Sequence, residues 1–376
     1  MAEEANIDLN TVPALEPPPG QVSNLEDPYS LRRYMYITAG LGLSLSTAAV
    51  LLRVFIKARV MRLMQLEEYI LILSLIGFYV FTGLMIHAVH LGQGIHQWNV
   101  SIAHLQRVIE LSNIIEIIYC PVILGAKVAM LLQMRRMFVV NKRGKLYWLH
   151  EILLWTNVPC YLALMVSFAF ACVPREKLWN PKLPGQCVSS TGILIASSAL
   201  NVLSDLTMLL LPLVVVMRLQ LPPRSKLILS VVFGTGIFAC ISSTCRLVYG
   251  VYLTRTQDFT WGIAPIGLWA IGEICTVILS GAIPMLPGFV KFIRGQDRSQ
   301  SSLPRSGSRW PRQNMSGSKG RPLPSEDGGK QDDYYLMNAK SEAHVSEAAL
   351  SAPDKDSIPL GIMKTVHVQT DYRRAE

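Results

Sequence analysis

Residues Ser190–Met217 read STGILIASSALNVLSDLTMLLLPLVVVM. The stretch is apolar for longer than a soluble helix needs. It is long enough to cross a bilayer, which takes about 20 apolar residues. Two residues interrupt it near the middle, Asn201 and Asp205. A carboxylate at that depth costs roughly 2.5–3.5 kcal/mol on insertion scales, so it turns toward other helices or a wet cavity. Asn201 and Asp205 are four residues apart and share one helix face. Other spans must supply what that face looks at.

Six further apolar stretches flank it: Tyr34–Ile56, Tyr69–His90, Val108–Met134 and Glu151–Cys172 before, Leu227–Leu253 and Ile263–Val290 after. Their length and composition predict helices, since a chain otherwise spans only as a closed barrel. The expected fold is all-α, a seven-transmembrane helix bundle. Three regions follow: an acidic, disordered N-tail over 1–33, the membrane domain over 34–293, and a disordered tail over 294–376. The N-tail holds Glu3, Glu4, Asp8, Glu16, Glu26 and Asp27 and the run Pro17-Pro18-Pro19, with no apolar core of a cleavable signal. The C-terminal tail is rich in Ser, Pro, Gly, Arg and Lys and has few large apolar residues to bury.

The chain has 376 residues, of which 51% are hydrophobic and 16% charged, with a formal net charge of +9. Its mean hydropathy of +0.33 averages an apolar front and a polar tail. The basic residues sit beside the spans and in the tail, where the anionic membrane face explains them, so no nucleic-acid partner is expected. The loops after spans 1, 3 and 5 carry eleven Lys and Arg, among them Lys57, Arg135, Arg136 and Arg224; those after spans 2, 4 and 6 carry five. The richer side is cytoplasmic. The N-terminus is thus expected outside and the C-terminus inside. That places the sequon Asn99-Val100-Ser101 outside as a glycosylation site on a short loop. It also places Cys172 and Cys187, which bracket CVPREKLWNPKLPGQC, in an oxidising compartment, where a disulfide is expected. Free thiols, or a bridge from one of them to Cys120, are the alternatives. The remaining cysteines within spans read as packing residues.

Ionisable groups inside spans carry the functional information. Glu116 and Lys127 lie eleven residues apart on span 3, on one face and about 16 Å from end to end. Asp205 is on span 5, Arg246 on span 6 and Glu273 on span 7. Counting residues from the span ends predicts an outer cluster of Glu116, Arg246 and Glu273, and an inner one of Lys127 with Asp205; Asn201 is a further candidate for the buried polar network or pocket. Such a buried polar network either fixes helix register or lines a ligand pocket.

Other chemistries find less support. His87, His90, His96 and His104 gather near the loop after span 2, but no Cys or carboxylate beside them in sequence completes a metal site. No GxSxG or HExxH pattern is present, and no enzyme activity is expected. A retinal Schiff base needs a pocket lysine. Span 7 has none, and Lys127, the lone lysine within a span, lies on span 3. No cofactor is expected.

Several segments in order carry a family resemblance: Arg53 to Arg62 running into Glu67-Glu68-Tyr69; Gly92-Gln93-Gly94-Ile95-His96; Tyr119 to Lys127 and on to Arg136-Met137-Phe138; Cys172-Val173-Pro174 with Trp179 and Cys187; Asn201 to Asp205 to Pro212; and Lys226 to Gly236 to Arg246. Over about residues 34–293 the chain resembles the fungal rhodopsin-domain family of seven-helix membrane proteins. That family includes orphan receptor-like proteins of plant-pathogenic fungi and a protein of the satratoxin cluster. Glu67-Glu68 departs from the family's usual Asp-Asp, and the cysteine-rich outer extension of some members is absent. The resemblance implies the fold and a role for Lys127, Asp205 and Arg246, not light sensing. The landmarks of animal class A receptors are missing: span 3 ends Gln133-Met134-Arg135-Arg136 and span 7 Ile283-Pro284-Met285-Leu286-Pro287. The function expected is an orphan receptor-like sensor of an unknown external ligand in the plasma membrane, with a cytoplasmic signalling partner at the basic inner loops and tail. A small-solute transporter or accessory protein of a secondary-metabolite pathway is the alternative.

Overall fold

The computed structural model describes residues 9–60, 62–138, 145–218 and 223–285. The expectations for the C-terminal tail lie outside the described residues. Among the described residues seven helices make up the bundle: α1 (Arg32–Phe55), α2 (Leu66–His90), α3 (Ile102–Phe138), α4 (Lys145–Ala169), α5 (Ser190–Arg218), α6 (Pro223–Leu253) and α7 (Phe259–Ala282). All seven contain a segment long and apolar enough to cross a membrane, as the sequence predicts. The protein is a multi-pass membrane protein. A two-residue hairpin, β1 (Cys172–Val173) with β2 (Gln186–Cys187), sits between α4 and α5. We call the end that holds this hairpin and the α2–α3 connection the outer end, and the opposite end the inner.

α7 and α3 form the middle of the bundle. The apolar window of α7 is 72% buried and that of α3 is 56%, whereas that of α4 is 22%. α7 packs on α6, α1, α3 and α2, and α3 on α2, α4 and α7. The outward faces keep large apolar side chains exposed, such as Leu73 on α2, Trp155 on α4 and Leu203 on α5, as helices facing lipid do. Between α2 and α3 the backbones come close, because small residues lie at the contact. A Cβ at Gly77 would stand 2.6 Å from Val122 Cγ2, and one at Gly125 would collide with Ser74.

Helix ends differ from the sequence expectation where local chemistry intervenes. α3 starts at Ile102 rather than Val108 and continues to Phe138. α1 runs into a wide π turn, Ile56–Val60, which carries Lys57 inward. Lys57 therefore is not a loop charge: it is 2% exposed and lies 3.2 Å from Glu68. α7 gives way to a 3-10 turn at Ile283–Met285, where Pro284 removes a helical N–H donor. Cys172, read as the end of span 4, lies in β1, disulfide-bonded to Cys187. Cys120 is free and buried, so the alternative bridge does not form.

The N-terminal segment needs a correction over its described part. Residues 9–31, read as disordered, lie along the α2–α3 connection. Ala14 N–H donates to Val100 O at 2.8 Å, Leu31 N–H to Gly94 O at 2.9 Å, and Ser23 Oγ to Trp98 O at 2.6 Å. The segment builds no element of its own, as its prolines predict, but its backbone polar groups pair with those of the connection. Gly92 and Gly94, with φ of +118° and +84°, let the connection turn beneath it.

The close approach of α2 and α3 has a measurable consequence. Gly77→Leu should lower stability by about 1–3 kcal/mol through overpacking against Val122. Gly83→Leu, where a side chain meets open space, should leave the thermal midpoint of detergent-purified protein near that of the wild type.

Candidate functional site

Lys127 is the anchor of the inner cluster. It is fully buried on α3, and its ammonium reaches Asp205 Oδ1 at 2.7 Å, Asn201 Oδ1 at 3.1 Å and Tyr161 Oη at 2.8 Å. An ammonium has three protons to donate, and each has an acceptor here. Asn201 and Asp205, one turn apart on α5, both face Lys127, as their spacing predicts. Tyr161 on α4 adds a hydroxyl hydrogen bond to Asn201.

Arg246 is the anchor of the outer cluster. It is fully buried on α6, with Nη2 2.7 Å from Glu116 Oε2 of α3 and Nη1 3.7 Å from Glu273 Oε2 of α7. Its guanidinium lies 3.8 Å from the centre of the Tyr119 ring, within cation–π range. The Tyr119 hydroxyl accepts a 2.9 Å hydrogen bond from Asn201 Nδ2. Tyr119 therefore joins the two clusters. All six residues singled out from sequence, Glu116, Lys127, Asn201, Asp205, Arg246 and Glu273, lie in one continuous network spread over α3, α5, α6 and α7.

Tyr119 and Tyr161 were missed as site residues by the sequence reading. The signal for Tyr119 was present, since Glu116, Tyr119, Ile123 and Lys127 recur at helical spacing on one stripe of α3. Tyr161 had no such signal; an aromatic residue in an apolar span reads as packing.

A small cavity, with room for about 80 Å³ of solvent, opens above the outer cluster. Ser112, Asn113 and Glu116 of α3 line it, with Phe168 of α4, Leu194 of α5, Leu253 of α6 and Ile263 of α7; Leu178 of the disulfide loop also contributes. The loop is tied in place: Cys172 bonds Cys187, Val188 N–H donates to Ala171 O at 2.8 Å, and Arg175 Nη2 donates to Asn113 Oδ1 at 3.4 Å. The wall is mostly apolar, with polar groups from two helices: Ser112, Asn113 and Glu116 of α3, and Ser190 and Thr191 of α5. A second cavity lies below the network, among Met130, Met134, Met208, Leu209 and Val232, with Asp205 at its edge.

At the inner end is a second buried ionic cluster, which the sequence reading assigned to topology and family motif alone. Arg53 is 1% exposed and donates to Glu68 Oε1 at 3.0 Å, to Gln133 Oε1 and to the Gly281 carbonyl. Arg136 pairs with Glu67 at 3.1 Å. α1, α2, α3 and α7 are thereby clasped together. The i,i+4 spacing of Arg53 and Lys57, just before the acidic pair Glu67-Glu68, was the available clue.

The remaining outer-end residues are structural in this geometry. His96 stacks between Trp98 and Trp261 at centroid distances of 4.3 and 4.0 Å, and its Nδ1 lies 2.6 Å from Asp258 Oδ2. Asp258 Oδ1 accepts from Trp261 N–H and so caps α7. His90 meets Tyr36 Oη at 2.8 Å. Among the described residues no three His, Cys, Asp or Glu side chains are grouped to hold a metal. Asn99 is half-buried, its Oδ1 takes the Asn24 N–H at 2.9 Å, and Ser101 of the same sequon is 5% exposed.

A family model described as the fungal rhodopsin domain matches residues 52–292. A SAT4 family membrane protein of Emericella nidulans is 35% identical over 215 residues, which is 57% of this chain and 54% of that protein. The match thus spans about half the length of that relative. The fugralins biosynthesis cluster protein 2 of Gibberella zeae is 28% identical over 98% of this chain and 89% of its own length. The wortmanamides biosynthesis cluster protein C of Talaromyces wortmannii is 23% identical over 35% of this chain and 36% of its own length. No solved structure matches the chain.

The network supports a graded set of outcomes in thermal unfolding of the purified protein. Lys127→Ala should cost about 3–5 kcal/mol, because it leaves Asp205 charged, buried and unpaired. The double change Lys127→Met with Asp205→Leu should recover most of that loss. Tyr119→Phe, which keeps the ring under Arg246, should cost only about 0.5–1.5 kcal/mol for its hydrogen bond.

Proposed function

The chain belongs to the fungal rhodopsin domain family, and on that premise we propose that it is a receptor-like sensor of an external small molecule. The observation that carries this reading is the outer cavity, which is lined by Glu116, the ion-pair partner of Arg246. A ligand there would be mostly apolar, with one hydrogen-bonding or charged group placed to compete for Glu116, Ser112 or Asn113. Because Arg246 also bears on Tyr119, and Tyr119 on Asn201 of the Lys127 cluster, a ligand that pulls Glu116 aside would bias several helices at once. The N-terminus faces outside, the tail faces the cytoplasm, and the membrane is the plasma membrane. The partly exposed Arg135 and Arg136 then lie on the cytoplasmic side, available to a signalling partner together with the basic tail. The protein is not an enzyme on this reading and needs no cofactor.

A second reading, a small-solute transporter or accessory protein of a secondary-metabolite pathway, has two observations in its favour. Cavities flank the network on both sides, and two relatives are named for biosynthesis clusters.

Leu194→Trp, at a cavity-wall position 4% exposed, separates the readings. In a fungal host whose own copy is deleted, the variant should reach the membrane at wild-type level yet reproduce the transcript profile of the deletion. Uptake of labelled culture metabolites into vesicles should be the same with and without the protein. A wild-type transcript profile in the variant, or protein-dependent uptake, would sink the sensor reading. Orientation is checked separately with a membrane-impermeant maleimide on intact cells. Cys172 and Cys187 should label only after reduction, and labelling that requires permeabilisation would invert the topology.

A further inference from the structure

The charges in the middle of the bundle do not balance. Among the described residues, two cations, Lys127 and Arg246, meet three carboxylates, Glu116, Asp205 and Glu273. The other groups have clear assignments. Lys127 holds Asp205 at 2.7 Å and Arg246 holds Glu116 at 2.7 Å. Glu273 is left over: its nearest cation atom, Arg246 Nη1, is 3.7 Å away, and neither of its oxygens makes a hydrogen bond of ordinary geometry, its polar neighbour being the neutral hydroxyl of Tyr119. Its side chain is fully buried. An ionised carboxylate so placed is the costliest kind of group to bury, and it persists only if a further positive charge joins it.

The surroundings of Glu273 supply no such charge. α3 presents Glu116, Tyr119 and Lys127, α5 presents Asp205, α6 presents Arg246 and α4 presents Tyr161. From α1 and α2, the cation that reaches α7 is Arg53, bound with Glu68 at the Gly281 carbonyl, eight residues along the helix and already paired. The Arg246 guanidinium is shared between two carboxylates and a ring, which fixes its single charge without adding another. A small cavity lined by Gln93, Glu116, Ile266 and Ala270 reaches the turn of α7 before Glu273.

We propose that the Glu273 carboxylate is a binding site for one monovalent cation, either a proton or an alkali metal ion, which makes the core network electrically neutral. Bound charge holds α7 to α6 through Arg246 and Glu273 without like-charge strain against Asp205. The site depends on the core alone and not on what fills the outer cavity.

The two sources are separated with full-length protein in lipid nanodiscs. If the cation is a proton, infrared spectra in sodium- and potassium-free choline chloride show the carbonyl stretch of a protonated carboxylic acid, shifted in heavy water. That band is lost in Glu273→Gln. If it is an alkali ion, replacing choline chloride with sodium or potassium chloride at constant ionic strength raises the thermal midpoint of the wild type, and Glu273→Gln loses the rise. Should Glu273→Gln fail to fold, Glu273→Asp takes its place, with the band or the ion response expected to shift. A wild type with neither band nor ion response overturns the proposal. So does either signal persisting unchanged in the Glu273 variant, which would place the charge on another carboxylate.

Discussion

The ion pair of Lys127 with Asp205 sets the terms for the rest of the bundle. Neither group can reach water from its depth, so α3 and α5 must hold them 2.7 Å apart whatever else the helices do. Asn201 and Tyr161 then complete the ammonium, and Tyr119 ties the result to Arg246. A chain of polar contacts that began with one buried lysine ends by touching α3, α4, α5, α6 and α7. In a membrane, where apolar packing gives little preference for one helix pair over another, polar contacts of this kind decide which faces meet.

The two ends of the bundle are secured by different means. At the inner end, α1, α2, α3 and α7 converge on Arg53 and the acidic pair, and the clasp uses a helix carbonyl at Gly281 as well as side chains. At the outer end, a disulfide, a hairpin and the N-terminal segment do the work, with backbone hydrogen bonds and stacked rings rather than buried ions. The cavity at the outer end borders the network directly, through Glu116. Of the charged groups in the network, Glu116 is the one that lines this cavity, and Arg246 and Tyr119 join it to the rest.

The seven spans were legible because apolar length is the strongest signal a sequence carries, and the six network residues because a charge inside such a run has few explanations. Even the division into outer and inner clusters followed from counting residues along helices. Three things were not legible. Tyr161 is chemically ordinary until its hydroxyl is seen beside Lys127. Lys57 looked like one of several loop cations, and only the π turn after α1 shows it facing Glu68. The path of residues 9–31 was hidden because composition reports whether a segment can make a core, and this one makes none; it borrows hydrogen-bond partners from a connection about 75 residues further along the chain.

The same logic explains why the network can be more than a set of register pins. A pin would be satisfied at every atom, as Lys127 is. Arg246 is not: it divides its attention between Glu116 at 2.7 Å and Glu273 at 3.7 Å, and its Nε and Nη1 have no hydrogen-bond partner among the described residues. The guanidinium therefore bears unequally on the two carboxylates, closely on Glu116 and loosely on Glu273. Glu116 faces the outer cavity and Glu273 is enclosed by α6 and α7. Movement of Arg246 between them would convert an event in the cavity into a change in how α7 is held, and α7 is the helix on which the inner clasp closes.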